Sequence, residues 1–327
     1  MLFSFSTTNN IIKHTVLTIS LLCFWVTAVS ADTRIVNGST AGVNQFPWQV
    51  ALISDPSDPF NSQFCGGTLI DKKWVVTAAH CAPDSDDDST TYVLAGITNL
   101  LSTDDGELSE VTWFTHPDYD EETTDNDIAL LRLKSPIDLD SCQQCQAISL
   151  VTSDNESTVM PPGTEAQVSG WGNTIGGENI EELTNFDEEL LWASLYITDC
   201  TDSPSLYEEN EITNNMFCAG VTDFDTDACQ GDSGGPLVVD DNDGVSTLLA
   251  GVVSWGTGCA RQGYPGVFTR VANYETWINK KTTTERKLNK KGSGGGGGAP
   301  SYILLLLGLF LSYRLKISSQ PILLGRK

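Results

Sequence analysis

The chain has 327 residues, room for one or two domains, with 43 acidic against 18 basic side chains and a formal charge of −25. Two of the acids and ten of the bases lie before Ile35 or after Thr283, so residues 35–283 carry 41 acids and eight bases. Such a surface repels phosphate backbones, which excludes nucleic acid as a partner, and attracts cations within the ~10 Å screening length of 0.1 M salt.

Residues 1–31 read as a secretory signal peptide. Lys13 precedes an apolar run from Val16 to Val29, and Val29-Ser30-Ala31 supplies small residues for a cut after Ala31. The run is shorter than the roughly 20 residues of a membrane span. A lone Arg34 then stands directly before Ile35-Val36-Asn37-Gly38. None of these residues is itself reactive, so their meaning depends on whether something downstream needs a new amino terminus.

From Ile35 to about Thr283 the pattern is of short strands broken by Asp, Ser, Gly, Asn and Pro. "WQVALI", "WVVTAA", "EVTWF", "IALLRL", "AQVSGW", "PLVV" and "LLAGVVSW" are β-branched or aromatic runs. Many strands over about 250 residues predict an all-β barrel or sandwich, or two barrels packed together. Near the end Val271, Tyr274, Trp277 and Ile278 fall at helical intervals. No internal repeat is present.

Residues 284–300 form a basic, Gly-rich linker, and residues 301–327 a short hydrophobic tail. Its apolar run of about 13 residues reaches about 20 Å as a helix, less than the roughly 30 Å hydrocarbon core. Three readings stay open for the tail. A GPI signal should end apolar, whereas this chain ends "GRK". A short span would have Arg314 and Lys316 as internal anchors. A trimmed tail needs neither.

Of nine cysteines, Cys23 leaves with the leader, and an even set of eight in an exported chain points to disulfides. Cys142-Gln-Gln-Cys145 hints at zinc or redox chemistry, but a second cysteine pair at metal spacing is missing and the histidines are only His14, His80 and His116. Asn37 and Asn155 open glycosylation sequons. A glycan on Asn37 would crowd a new amino terminus, so Asn155 is the expected acceptor.

Three stretches carry the chemistry: "WVVTAAHC" ending at Cys81, "DNDIALLRL" from Asp125 and "DACQGDSGGPL" from Asp227. With "IVNG", in this order, they make residues 35–283 resemble the trypsin/chymotrypsin family of serine proteases, over about three-quarters of the chain. The resemblance implies two packed six-stranded antiparallel β-barrels with a C-terminal α-helix, and a serine endopeptidase with trypsin-like specificity. It implies His80 as general base, held in the useful tautomer by Asp127, and Ser233 as nucleophile. Asp125 reads as a solvated neighbour. The N–H groups of Gly231 and Ser233 would form the oxyanion hole.

By the same resemblance, cleavage after Arg34 releases residues 32–34 as an activation peptide. The new amine of Ile35 would then meet Asp232, so that the intact chain is a zymogen. Asp227 would lie at the base of the primary pocket and select Arg or Lys, which also makes Arg34 a site for autoactivation. Ser254 and Trp255 would flank the substrate backbone, while Gly256 and Gly266 keep the pocket open. A chymotrypsin-like pocket is the alternative specificity.

The implied disulfides are Cys65–Cys81, Cys200–Cys218 and Cys229–Cys259, with Cys142 and Cys145 extra and expected to pair with each other. Ala41, Ala166 and Val239 stand where some trypsins carry further cysteines. Ile97 replaces a carboxylate of the family's calcium loop. Asp104, Asp105 and Glu107 could still collect a cation, but no metal and no cofactor are expected. Expected partners are protein or peptide substrates with Arg or Lys at the cut, and proteinaceous protease inhibitors. The enzyme would be monomeric and extracellular, with tethering to the outer face of the plasma membrane left open. Two other classes compete: a protease-shaped binding protein without turnover, and a membrane-displayed adhesive module. The first usually loses a triad member, and this chain keeps all three.

Overall fold

In the computed structural model the described residues are 35–292, except 37, 85–88, 177–184, 202–205, 209, 224 and 243. The leader, Arg34, Asn37 and the tail lie outside them. Among the described residues no helix is long and apolar enough to cross a membrane.

Strand β1 (Ser39–Thr40) leads into β2 (Gln49–Ile53), β3 (Gln63–Asp71), β4 (Trp74–Thr77), β5 (Tyr92–Ala95), β6 (Glu107–Thr115) and β7 (Ala129–Leu133). The last six close on themselves in the order β2-β3-β4-β7-β6-β5, every pairing antiparallel. Closure gives each strand two partners and leaves no edge for another chain to extend. A short helix α1 (Pro59–Ser62) lies between β2 and β3, started by Asp58, whose carboxylate accepts Asn61 N–H.

Strand β8 (Ser149–Leu150) and helix α2 (Glu156–Val159) lead to a second ring. It comprises β9 (Glu165–Gly170), β10 (Leu191–Thr198), β11 (Met216–Gly220), β12 (Pro236–Asp240), β13 (Thr247–Trp255) and β14 (Gly266–Arg270). These close in the order β9-β10-β11-β14-β13-β12, again antiparallel, while β1 adds to β10 and β8 runs parallel to β13. The fold is thus all-β, with two closed six-stranded barrels.

Continuous apolar runs in the sequence became β2, β4, β7, β12 and β13, all buried or nearly so. The remaining strands are less visible in sequence for physical reasons. β10 alternates, with Leu191, Ala193, Leu195 and Ile197 buried between more exposed neighbours, so only one face is apolar. β3 carries Gly66-Gly67 at its centre, a pair that reads as a turn.

Those glycines are needed because two barrels meet there. Gly66 N–H donates to the carbonyl of Ser233 at 2.7 Å. A Cβ on Gly66 would stand 3.1 Å from the Cα of Gly235. Beside them, Ser169 Oγ donates to Gln49 Oε1 at 2.7 Å, two buried polar groups that satisfy each other across the seam.

After β14 a 3₁₀ turn (Val271–Tyr274) enters helix α3 (Glu275–Gly292). The sequence periodicity therefore spans a turn and a helix, and α3 continues through the basic stretch after Thr283. The helix leaves the second barrel and lies on the first: the His116 ring meets Tyr274 and Trp277 at 5.2 and 5.0 Å, and Lys281 Nζ sits 5.4 Å from the Phe114 centroid. Four disulfides are formed: Cys65–Cys81, Cys142–Cys145, Cys200–Cys218 and Cys229–Cys259. The second packs against Gly96, where a Cβ would come within 2.7 Å of Cys142 Sγ.

Gly67 tests the packing of the first barrel. A Cβ there would lie 2.7 Å from Val75 Cγ1 and 3.0 Å from Val50 Cγ2. Overpacking of this kind costs about 1–3 kcal/mol, so Gly67→Ala in a Ser233→Ala background should lose that much in urea unfolding, and an unchanged midpoint would refute the packing argument.

Candidate active site

His80 sits on a 3₁₀ turn (Ala79–Cys81) at the end of β4, braced by the Cys65–Cys81 bridge to β3. Asp127 precedes β7, the neighbour of β4, and is 1 % exposed. Its Oδ1 accepts His80 N–H at 2.9 Å and its Oδ2 accepts His80 Nδ1 at 2.8 Å. An ionised carboxylate only accepts, so Nδ1 carries the proton and Nε2 is left as the free base. The second barrel contributes too: Ser254 Oγ also donates to Asp127 Oδ2, and Thr269 Oγ1 donates to the Asp127 carbonyl at 2.6 Å. Ser254, expected beside the substrate backbone, therefore turns its hydroxyl to Asp127.

Ser233 lies on the tight loop before β12. Asp232 N–H bonds to Cys229 O and Gly235 N–H to Asp232 O, both at 2.9 Å. Gly231 and Gly234 have φ of +97° and +78°, in the region that favours glycine. The Gly231 carbonyl is held by Gln63 Nε2 at 2.9 Å. Among the described residues, the N–H groups of Gly231 and Ser233 have no protein acceptor, so both remain free to bind an anionic oxygen. The Ser233 hydroxyl is not hydrogen-bonded to His80, whereas His80 and Asp127 are directly joined. Such bonds are commonly loose in a ligand-free protein and tighten on substrate.

Asp232 has no exposed surface. Its two oxygens accept Gly172 N–H at 2.8 Å and Cys229 N–H at 2.9 Å. Burial pushes its pKa up to about 6 against those two hydrogen bonds. Gly170 and Gly172 flank it so closely that a Cβ on either would fall within 2.1 or 2.5 Å of the carboxylate. This cradle was not predicted, although glycine on both sides of Trp171 is its visible signature. Ile35 is fully buried in the core of the second barrel, and Val36 pairs with Asp227 in an isolated β-bridge.

Asp227 lines a cavity of about 220 Å³ together with Ser233, Ser254, Trp255, Gly256 and Gly266. Its Oδ2 accepts Ala260 N–H at 3.1 Å, but its buried Oδ1 has no partner. A Cβ on Gly266 would stand 2.8 Å from that Oδ1. Burial is the main cause that lifts the Asp227 pKa to about 7, opposed by bonds from Ala260 and Ala228 and assisted by the Asp232 charge. The Cys229–Cys259 bridge joins two lining residues. Tyr207, missed in the sequence, supports Trp255 edge-on at 5.3 Å and donates its hydroxyl to Pro265 O.

A second cavity of about 720 Å³ adjoins the first along Ser254 and Trp255 and is lined by His80, Asp84, His116, Tyr119 and Glu121. Asp125, read as solvated surface, instead accepts Thr213 Oγ1 at 2.6 Å and Asn215 Nδ2 at 3.0 Å from the second barrel. Burial lowers the pKa of His116 in this wall. Asp104, Asp105 and Glu107 do not converge at metal-binding distance among the described residues. Asn155 Oδ1 accepts Thr152 N–H at 2.8 Å at the start of α2.

Two closed antiparallel barrels with a buried carboxylate–imidazole pair on their seam are the chymotrypsin fold. The trypsin family model matches residues 35–278. Cationic trypsin-3 of Rattus norvegicus is 39% identical over 258 residues, covering 76% of this chain and 90% of that protein. Trypsin-3 of Homo sapiens is 39% identical over 253 residues, 76% of this chain and 72% of its own length. Transmembrane protease serine 9 of Rattus norvegicus is 36% identical over 264 residues, 80% of this chain but 23% of that longer protein. The chain belongs to the trypsin family and is a serine protease hydrolase acting on protein substrates.

The raised pKa of Asp227 makes a stability prediction. The folded protein keeps a proton on it between about pH 4 and pH 7, where the unfolded chain has lost it, so stability falls as pH rises through that window. A shift of about three units corresponds to at most about 4 kcal/mol. In a Ser233→Ala background, Asp227→Asn should lose about 2–4 kcal/mol less stability between pH 4 and pH 8 in urea unfolding; parallel profiles would refute the assignment.

Proposed function

We propose that this protein is the secreted zymogen of an endopeptidase that cuts after Arg or Lys through an acyl-enzyme, and that cleavage after Arg34 switches it on. The observation that carries the specificity is the unpartnered Oδ1 of Asp227, buried in a cavity that Ser233 also lines. A guanidinium or ammonium group entering there supplies both the missing hydrogen bond and the opposite charge, and guanidinium binds a carboxylate with directional strength. An apolar ring would leave the carboxylate unpaired, which argues against chymotrypsin-like specificity.

In the proposed reaction His80 Nε2 takes the proton of Ser233 as the hydroxyl oxygen attacks the scissile carbonyl. Asp127 keeps the imidazole oriented and stabilises its charged form. The developing oxyanion is received by Gly231 and Ser233 N–H, where losing one donor typically costs about 10²–10³ in rate. His80 then protonates the leaving amine, and water repeats the sequence to release the acid. Retention of His80, Asp127 and Ser233 favours turnover over a binding role.

Activation rests on Asp232. Among the described residues no side-chain cation pairs with it, and burial raises its pKa. The amine of Ile35, freed by a cut after Arg34, would supply that charge beside the oxyanion loop. Residues 1–31 act as the signal peptide and 32–34 as the activation peptide in this reading, with the tail 301–327 either a tether or trimmed. The secreted enzyme works as a monomer, carries a glycan on Asn155 and is blocked by proteinaceous inhibitors at the same cleft.

Purified full-length protein, treated with an arginine-cutting protease and checked by amino-terminal sequencing at Ile35, tests this. Losing one partner of a buried ion pair costs about 3–5 kcal/mol, so kcat/KM on an arginyl amide should rise by about 10²–10³-fold on clipping. A phenylalanyl amide should be cut about 10³-fold more slowly. Clipped protein as inert as the unclipped form sinks the activation scheme, and equal rates on both amides sink the specificity.

A further inference from the structure

Three large apolar side chains stand in solvent around the oxyanion glycine: Phe64 at 37 %, Ile175 at 56 % and Phe186 at 39 % exposure. None of them lines the Asp227 cavity. Phe186 is the nearest, its Cε1 lying 3.1 Å from the point where a Cβ on Gly231 would be. Phe64 is placed by its neighbour Gln63, whose Nε2 holds the Gly231 carbonyl at 2.9 Å. Ile175 is placed by Thr174, whose N–H and hydroxyl both donate to Asn185 O, the residue before Phe186, at 3.1 and 3.0 Å. Hydrogen bonds thus tie all three to one short arc beside Gly231, in a domain whose surface is otherwise dominated by acids. Grouped exposed apolar residues of this kind mark a contact surface.

Its place in the cleft assigns the occupant. A substrate with a basic side chain in the Asp227 cavity and its scissile carbonyl oxygen on the Gly231 N–H has its acyl half committed to that cavity. The half that departs as the amine must leave past Gly231, over Phe186 and its neighbours. We propose that Phe64, Ile175 and Phe186 form the subsite for the first residues beyond the cut, and that this subsite takes branched aliphatic side chains. The chain carries such a sequence itself: Arg34 is followed directly by Ile35 and Val36. The activation segment of a second copy therefore satisfies both sides of the cleft, a basic residue for Asp227 and two branched aliphatic residues for the apolar arc. Once cut, Ile35 and Val36 leave the subsite for their folded positions, where they are 0 % and 8 % exposed. The inference rests on the reading of Asp227 as the basic-residue site and adds a preference on the opposite side of the scissile bond.

Two internally quenched peptides, identical except for Arg-Ile-Val and Arg-Ser-Asn at the cut, test it with clipped full-length enzyme. The parent should favour the Ile-Val peptide in kcat/KM by about 10-fold or more, the usual scale for apolar pocket contacts. Phe186→Ser should reduce that ratio toward one, and Ile175→Ser should lower it in part. Because the readout is a ratio, a general loss of active enzyme affects both peptides alike and leaves it unmoved. A parent ratio near one, or a ratio unchanged in Phe186→Ser, overturns the subsite. Failure of the underlying specificity looks different: neither arginyl peptide, nor an arginyl amide lacking residues beyond the cut, would be hydrolysed.

Discussion

The buried carboxylate of Asp127 is the constraint on which the site depends. A charge that is 1 % exposed persists only if donors replace the water it has lost. Two of them come from His80 in the same barrel, its backbone N–H and its ring. Ser254 on β13 supplies another, and Thr269 on β14 takes the Asp127 carbonyl. The residue can therefore be satisfied only when both barrels are folded and docked. The same bonds that satisfy it set the imidazole tautomer and lock the seam, so stability and site geometry have a common origin.

Around that centre the molecule places charge where it is costly and removes side chains where backbone must approach. Asp227 and Asp232 are both desolvated and both lifted in pKa, unlike the many surface acids. Each has glycines pressed against it, Gly266 in one case and Gly170 and Gly172 in the other. Buried acids waiting for a cation mark a place where a positively charged group is meant to arrive. One is suited to a substrate side chain and the other to the chain's own new amino terminus.

Legibility in the sequence followed how local each feature is. The strands with uninterrupted apolar runs, such as "WVVT" and "LLAGVVSW", were readable because both of their faces are buried. β3 was not, because Gly66 and Gly67 look like a turn until a second barrel is placed against them. The pairing of His80 with Asp127 was implied by motif, but Asp125 misled: two residues from Asp127, it bonds to Thr213 and Asn215, nearly 90 positions further along. Tyr207, Gln63 and Phe186 gave no local signal, since each matters only through what it touches across the fold.

The sequence by itself determined the strand-rich class, the oxidising compartment implied by eight paired cysteines, and the order of the chemical motifs, because these depend on residue type and short-range spacing. Tertiary structure alone decided which oxygen of Asp227 lacks a partner, that Ser254 turns to Asp127 rather than to the cleft, and that three exposed apolar residues gather beside Gly231. The physical reason is that solvation and hydrogen-bond satisfaction belong to the surroundings of a group, and here those surroundings are assembled from segments more than a hundred residues apart.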